Sequence, residues 1–135
     1  MKSNDQSTYT ASHDGTFFAI GLNYKKADAE IRGHFSISEA AQKSILIAAQ
    51  AMGISSLTLI STCNRTELYG FANQAKDLIK LLCEHTQGTI SQFEKVAYVH
   101  QDQQAVSHLF KVGTGLDSQI LGDFEIISQL RNSLR

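Results

Sequence analysis

The residues best suited to chemistry lie in one short run, Ser61-Thr62-Cys63-Asn64-Arg65-Thr66-Glu67-Leu68-Tyr69. The run follows the apolar, partly β-branched stretch 57–60 and leads into a second strand-like stretch ending at Phe71, which puts Cys63 in a polar turn between two strands. A cation near a cysteine favours the thiolate, the form that attacks electrophiles. Cys63, with Arg65 two residues later, is therefore a candidate nucleophile. The alternative is an inert, partly buried thiol that happens to lie beside an arginine.

Ordinary structural roles also fit four side chains besides Cys63: His100, Arg65, Glu67 and Cys83. His100 closes a predicted strand just before a helix, which is a suitable place for an acid/base group, although a surface or capping histidine fits the same position. Arg65 and Glu67 share one side of a strand, where the alternative is a solvated ion pair. Cys83 lies between Leu82 and Glu84 in a helical stretch, and this setting predicts inert packing.

Composition limits the class of protein. The 135 residues suit one domain, and 42% hydrophobic content is enough for a core. A net charge of −1 gives little support for a nucleic-acid-binding face. The two cysteines lack CxxC or CxxH spacing, which argues against a disulfide framework and a zinc site. No apolar run has transmembrane length, and the polar residues 1–15 lack a signal-peptide core, so we expect a disordered tail and a cytoplasmic protein.

The elements alternate in an order that indicates the fold class. Helices are predicted from Ser36, whose spacing to Glu39 fits a capping box, and after Asn73. The strands are predicted at 16–22, 57–62, 65–72 and 96–100. The order βαββαβ predicts an α+β, ferredoxin-like antiparallel sheet over residues 16–101, with both helices on one face.

Residues 102–135 are predicted to add helices to this sheet. Asp102 begins a short helix that Gly113 and Gly115 should break. An amphipathic helix should then start near Asp117 and continue to the last residue as the start of a linker, so the chain reads as cut from a longer one.

Strand periodicity assigns the faces of the third strand. Leu68, Gly70 and Ala72 should lie under the helices, and the residues of opposite parity should line a helix-free face: Arg65, Glu67, Tyr69 and Phe71. In a plain ferredoxin-like sheet the second and fourth strands are the edges. Cys63 and His100 should then share one end of the sheet and bracket a substrate without touching.

The run around Cys63 closely resembles the active-site segment of the glutamyl-tRNA reductase family. Two further stretches resemble the same family in the expected order: Ile20-Gly21-Leu22-Asn23-Tyr24-Lys25, and the stretch that leads from His100-Gln101-Asp102 to Gly115-Leu116-Asp117-Ser118-Gln119-Ile120-Leu121-Gly122. The resemblance extends from about residue 17 to residue 131. Three separated motifs in the right order are far more specific than any one of them.

The resemblance implies roles for individual residues. The Cys63 thiolate would attack glutamyl-tRNA to give a thioester, which hydride from NADPH would reduce to glutamate-1-semialdehyde for tetrapyrrole biosynthesis. His100 would be the second catalytic residue, assisting proton transfer or orienting the substrate. The substrate-binding residues would be Thr62, Asn64, Arg65 and Ser118.

The resemblance also implies what this chain lacks. No G-x-G-x-x-G follows a strand, so NADPH is expected to bind a domain absent here. The complete enzyme is expected to form a homodimer through a further C-terminal domain. The main alternative is an RNA-binding module, because Tyr69 and Phe71 on an open face are similar to the base-stacking aromatics of an RNA-recognition motif. A redox sensor built on Cys63 is a third possibility, but no resolving cysteine lies nearby in the sequence.

Overall fold

The computed structural model describes residues 15–54, 56–116 and 120–122. Its centre is a five-stranded antiparallel sheet in the order β4-β1-β3-β2-β5. The strands are β1 (Thr16–Asn23), β2 (Leu57–Ser61), β3 (Arg65–Ala72), β4 (Tyr98–Gln101) and β5 (Ile120–Gly122). The predicted α+β class and antiparallel sheet are confirmed, and β1 occupies a central position as its apolar sequence predicts.

One edge of the sheet differs from the prediction. The segment at residues 120–122 forms β5 and pairs with β2, from Thr58↔Gly122 to Ile60↔Ile120, where a helix was predicted. Short apolar runs fit either structure, and an unpaired β2 offers backbone groups that a strand can satisfy. The second strand is therefore not an edge. The predicted tail, apart from Gly15, and the rest of the predicted linker helix lie outside the described residues.

Among the described residues, five helices flank the sheet: α1 (Ala29–His34), α2 (Glu39–Ala51), α3 (Ala75–Glu84), α4 (Ile90–Val96) and α5 (Asp102–Leu116). The short helices α1 and α4 were not predicted. The N-cap of α2 is Ser38, which accepts a hydrogen bond from the Ala41 amide at 3.1 Å, so the prediction of a Ser36 cap is wrong. Gln74, and not Asn73, caps α3 in a capping box with Asp77.

Two hydrophobic cores lie on opposite faces of the sheet. Beneath α2 and α3, a large apolar core includes Leu68 and Ala72 of β3. On the other face, Tyr69 and Phe71 belong to a smaller core whose helical members all come from α5: Ala105, Val106, Leu109 and Val112. The predicted strand parity is confirmed, but the prediction of a helix-free second face is wrong. We call these the α2/α3 face and the α5 face.

Helix α5 continues through the two glycines that were predicted to break it. Gly113 and Gly115 lie inside the helix, which ends at Leu116. A glycine within a helix costs about 1 kcal/mol relative to alanine. Burying one aliphatic side chain such as Val112 contributes about 1.5–3 kcal/mol, so packing on the sheet outweighs the local preference.

Candidate active site

Cys63 lies exposed in the tight turn that joins β2 to β3. The Thr62 hydroxyl oxygen accepts hydrogen bonds from the backbone amides of Asn64 at 3.1 Å and Arg65 at 3.2 Å. The Thr62 amide donates to the Arg65 carbonyl at 2.9 Å. Thr62 thus stabilises the turn through hydrogen bonds within it, and its hydroxyl hydrogen remains able to donate to another group.

The turn is also held from outside by two distant segments. The Tyr24 amide, just after β1, donates to the Asn64 carbonyl at 3.0 Å. Arg32 of α1 donates from Nε to the Cys63 carbonyl at 3.0 Å and from Nη1 to the Ala27 carbonyl at 2.7 Å. Arg32 was not predicted as part of the site, because no local pattern links residues 31 positions apart in the chain.

The two free cysteines have different surroundings. Cys83 is half-buried in α3 and packs against the larger core. Burial raises the pKa of the Cys83 thiol, and the charge of Glu84 raises it further. Because the thiolate is the reactive form, Cys83 is the less suitable nucleophile of the pair, and Cys63 has the exposure that a nucleophile needs.

A buried carboxylate, Glu67, lies on the α5 face two residues after Arg65. Its Oε1 accepts from the Tyr69 hydroxyl at 2.6 Å. Its Oε2 accepts from Arg65 Nη1 at 3.1 Å, from His108 Nε2 at 2.7 Å and from the Tyr98 hydroxyl. We call these five side chains the Glu67 network. The alternative of a solvated Arg65–Glu67 ion pair does not hold, since the Glu67 side chain is 1% exposed and the Arg65 side chain 17%.

The network keeps Glu67 ionised. Burial raises the pKa of Glu67, but hydrogen bonds from His108, Tyr69 and Tyr98, together with the charge of His108, outweigh burial and hold it below its ordinary value. Burial, followed by the charge of Glu67, raises the pKa of both Tyr69 and Tyr98, so both phenols remain donors. Four donors therefore converge on one negative charge.

Gly21 makes room for this carboxylate. It pairs with Glu67 across β1 and β3. A Cβ at Gly21 would lie 2.5 Å from the Thr66 carbonyl oxygen and 2.7 Å from Glu67 Cγ, both closer than atoms can pack. Gly21 belongs to a motif noted in the sequence, but its function of admitting Glu67 becomes visible only from the strand register.

His100 lies farther from Cys63 than predicted. It pairs with Ala19 of β1, whereas Arg65 pairs with Asn23, four residues farther along the same strand. That offset is about 13 Å along the sheet. Because β4 is antiparallel to β1, it ends where β1 begins, while the Cys63 turn lies where β1 ends. The prediction that Cys63 and His100 share one end of the sheet is wrong.

The His100 ring instead joins the edge of the Glu67 network. Its centroid lies 4.7 Å from that of His108 and 5.4 Å from that of Tyr98. Burial, and then the charge of His108, lowers the pKa of His100, although Glu67 opposes the shift. An open polar cleft lies beside the ring, lined by His100, Gln103, Gln104, Ser107, His108 and Lys111.

The structure therefore gathers part of the predicted site. Thr62, Cys63, Asn64 and Arg65 form one turn, and His100 lies apart from it. Ser118 falls outside the described residues. Within the described part of the chain, no cluster of three or more histidine, cysteine or acidic residues could hold a metal ion.

The comparisons with known proteins agree with the motifs. The family model for glutamyl-tRNAGlu reductase, N-terminal domain, matches residues 20–135. The chain belongs to this family. The glutamyl-tRNA reductase of Christiangramia forsetii is 63% identical over 123 residues, which cover 91% of this chain and 29% of that protein. That of Flavobacterium psychrophilum is 64% identical over 122 residues, covering 90% of this chain and 30% of that protein.

A solved structure supports the fold. The glutamyl-tRNA reductase of Methanopyrus kandleri matches 75% of this chain and 23% of its own with a TM-score of 0.56 at 24% identity. The predicted family resemblance is confirmed by these findings together. The chain spans less than a third of the length of its relatives in the glutamyl-tRNA reductase family. Among the described residues, no helix is long and apolar enough to cross a membrane.

Proposed function

We propose that this chain is the part of a cytoplasmic glutamyl-tRNA reductase that carries the nucleophile for the first chemical step. The observation that supports this most directly is an exposed Cys63 in a braced turn, next to an Arg65 whose guanidinium is held by a buried carboxylate. The names of the relatives supply the substrate, glutamyl-tRNA. The complete enzyme would serve tetrapyrrole biosynthesis and form a homodimer through a domain outside this chain.

The proposed reaction proceeds through a thioester. The Cys63 sulfur attacks the ester carbonyl carbon, a C–S bond forms, and the C–O bond to the tRNA breaks, with the tRNA oxygen leaving as a hydroxyl. The thioester would then be reduced to glutamate-1-semialdehyde by hydride from NADPH, which residues outside this chain would hold, and the Cys63 thiolate would be released. Splitting the reaction in this way places the acyl group on sulfur, from which it accepts hydride more readily than from an ester.

Arg65 is the proposed anchor for a carboxylate of the glutamyl group. Its planar fork carries five N–H donors, and the Glu67 network uses an N–H of Nη1. The rest of the fork stays in a fixed orientation, since its partner Glu67 is itself fixed by three other donors. Thr62 and Ser118 are proposed to contact the substrate through their hydroxyls, and Asn64 through the turn it helps to form.

His100 is proposed to orient the substrate or to assist proton transfer. Its level along β1 lies about 13 Å from that of Arg65, so a direct thiol–imidazole pair is no part of the proposal. The polar cleft beside it is open on the same face of the sheet as Arg65. A substrate with a nucleotide attached to its reacting group is long enough to reach both places.

The RNA-recognition-motif alternative loses its main support. Tyr69 is fully buried beneath α5, and its hydroxyl is bound to Glu67. Base stacking in such modules requires exposed aromatic rings on the sheet face. The structure covers that face with a helix.

The test is transfer of glutamate to the protein. Wild type and Cys63→Ser are incubated with glutamyl-tRNA without NADPH, and peptides are mapped by mass spectrometry, with Cys83→Ser as the matched control. We expect a glutamyl adduct on Cys63 in wild type and in Cys83→Ser, and no thioester in Cys63→Ser. Deacylation at equal rates in all three proteins, without an adduct, would show that Cys63 is not the nucleophile.

A further inference from the structure

Arg32 connects the nucleophile turn to the body of the domain. Its guanidinium bridges two backbone carbonyls, that of Cys63 through Nε at 3.0 Å and that of Ala27 through Nη1 at 2.7 Å. Both contacts lie on one rigid plane, since the guanidinium group is planar and delocalised. The distance between the Cys63 and Ala27 carbonyls is therefore set by a stiff link.

The Ala27 end of this link is firmly anchored. Ala27 is 1% exposed, and its amide donates to the Asn23 carbonyl at the end of β1 at 3.0 Å. Asn23 in turn pairs with Arg65, the first residue of β3. Helix α1, which carries Arg32, begins with Asp28 accepting a hydrogen bond from the Ile31 amide at 2.9 Å. The backbone of Arg32 in α1 and its contact at the Ala27 carbonyl are thus both held in place.

The Cys63 end of this link lies in the turn, where Arg32 is the contact that reaches the Cys63 carbonyl. The bonds from Thr62 reach the amides of Asn64 and Arg65, and the bond from Tyr24 reaches the Asn64 carbonyl. The Asn64 amide and the Cys63 carbonyl belong to one peptide group, which Thr62 holds through its N–H and Arg32 through its carbonyl oxygen. The orientation of that peptide limits the backbone angles of Cys63 and so the direction of its Cα–Cβ bond.

We infer that Arg32 is a positioning residue for the Cys63 nucleophile, an inference that rests on the proposed acyl transfer to Cys63. Arg32 acts through the Cys63 carbonyl and touches no substrate atom. Its loss leaves the thiol exposed but lets it sample orientations that do not face the ester. A misplacement of about 1 Å at a reacting group can cost roughly a hundredfold in rate.

The kinetic test compares Arg32→Gln and Arg32→Lys with Lys26→Gln in the complete enzyme. Lys26→Gln removes an exposed cation from the segment between β1 and α1 and leaves both carbonyl contacts of Arg32 intact. We expect Arg32→Gln to lower the rate of Cys63 acylation at saturating glutamyl-tRNA by tenfold or more, with KM changed less than twofold. Arg32→Lys should recover only part of the rate, because an ammonium cannot match the planar fork.

Chemical rescue and an internal reference separate positioning from general destabilisation. Millimolar methylguanidinium should raise the acylation rate of Arg32→Ala severalfold, and methylammonium at the same concentration should not. Iodoacetamide labelling of the half-buried Cys83 reports on core opening and should be unchanged in every variant. Wild-type acylation in Arg32→Gln, or a loss that rises in step with Cys83 labelling, would overturn the inference.

Hydrogen exchange tests whether Arg32 holds the Cys63 turn, even if the proposed reaction is wrong. The Asn64 and Arg65 amides are bonded to Thr62 and should exchange at least tenfold faster in Arg32→Gln, whereas the β1 amides and the β3 amides after Arg65 should not change. Unchanged exchange at both turn amides would show that Arg32 does not hold the turn. If wild type forms no adduct on Cys63 but both turn amides exchange faster in Arg32→Gln, Arg32 does hold the turn and the acyl-transfer proposal fails.

Discussion

The two faces of the sheet are both covered by helices, but they differ in what they bury. The α2/α3 face has an apolar core, with fully buried Leu68, Ile20 and Leu78 at its centre. The α5 face places an apolar cluster beside a buried carboxylate that is bonded to four donors. An apolar core stabilises without direction, whereas a satisfied polar network fixes the orientation of its members. The α5 face is therefore the one that can keep the Arg65 guanidinium in a fixed orientation beside Cys63.

The strongest test of this contrast compares two adjacent residues on opposite faces. Glu67→Ala leaves the donors of Arg65 and His108 without their partner in a largely buried site, which should cost about 3–5 kcal/mol of unfolding free energy. Leu68→Ala should cost about 2–5 kcal/mol through lost burial and the cavity left behind. Urea unfolding followed by circular dichroism measures both.

Activity should then separate the two variants. In conditions where both proteins remain folded, Leu68→Ala should retain Cys63 acylation, and Glu67→Ala should lose most of it with the orientation of Arg65. Equal retention of activity would show that the α5 face contributes stability alone.

A smaller effect on the rate of acylation is expected from a change at Arg65, where the α5 face meets the Cys63 turn. Arg65→Lys keeps the charge but loses the fork that can bind Glu67 and a substrate carboxylate together. The loss of one charge-assisted hydrogen bond, about 1.5–3 kcal/mol, corresponds to roughly ten- to a hundredfold in rate. Single-turnover acylation is the measurement, and Lys80→Arg on exposed α3 surface is the control. Near wild-type turnover in Arg65→Lys would remove Arg65 from the proposed site.

Gly21→Ala should damage the α5 face through crowding. The added Cβ meets the Thr66 carbonyl and the Glu67 side chain, and overpacking of this kind costs about 1–3 kcal/mol. Gly33→Ala is the matched control, because a Cβ there meets nothing within 4 Å. In thermal unfolding, the melting temperature should fall clearly for Gly21→Ala only. Equal melting temperatures for the two variants would mean that the β1–β3 register beside Glu67 can relax.

The smallest expected effect is a pH dependence confined to the α5 face. The folded-state pKa of Glu67 lies below its ordinary value of 4.5, so its ionisation stabilises the fold above pH 4.5, and this contribution is lost as pH falls through the folded-state pKa. The difference in unfolding free energy between wild type and Glu67→Gln should shrink in that acidic range. The difference between wild type and Leu68→Ala should stay constant. A Glu67→Gln difference independent of pH would contradict the linkage.

Local sequence patterns were sufficient for the strands around the proposed nucleophile. β3 was predicted with its observed bounds, Arg65–Ala72, and β1 within one residue of its end at Asn23. A strand of alternating parity places its side chains on two faces, whatever covers those faces, so the opposite orientations of Leu68 and Tyr69 could be read directly. The exposed turn at Cys63 follows from the same two strands.

Helix ends and short helices were less predictable. Ser36 and Ser38 both offer a hydroxyl before an apolar run, and the difference between them depends on the path of the preceding chain, where Ser36 donates to the Gly33 carbonyl instead. Helices as short as α1 and α4 have little intrinsic stability and form because they pack against the rest of the fold. Sequence periodicity carries almost no signal for them.

Four features could be predicted without a structure: the family, the antiparallel α+β class, the strand parity and the turn that carries Cys63. Each of them depends on neighbouring residues or on short contiguous motifs. Three other features became known from the folded chain: α5 covers the second face, Glu67 is buried among donors from β3, β4 and α5, and Arg32 reaches the Cys63 carbonyl. His100 lies about 13 Å along β1 from the level of Arg65, because β4 pairs antiparallel with β1 in the observed register. These features depend on strand register and helix docking, which join residues far apart in the chain.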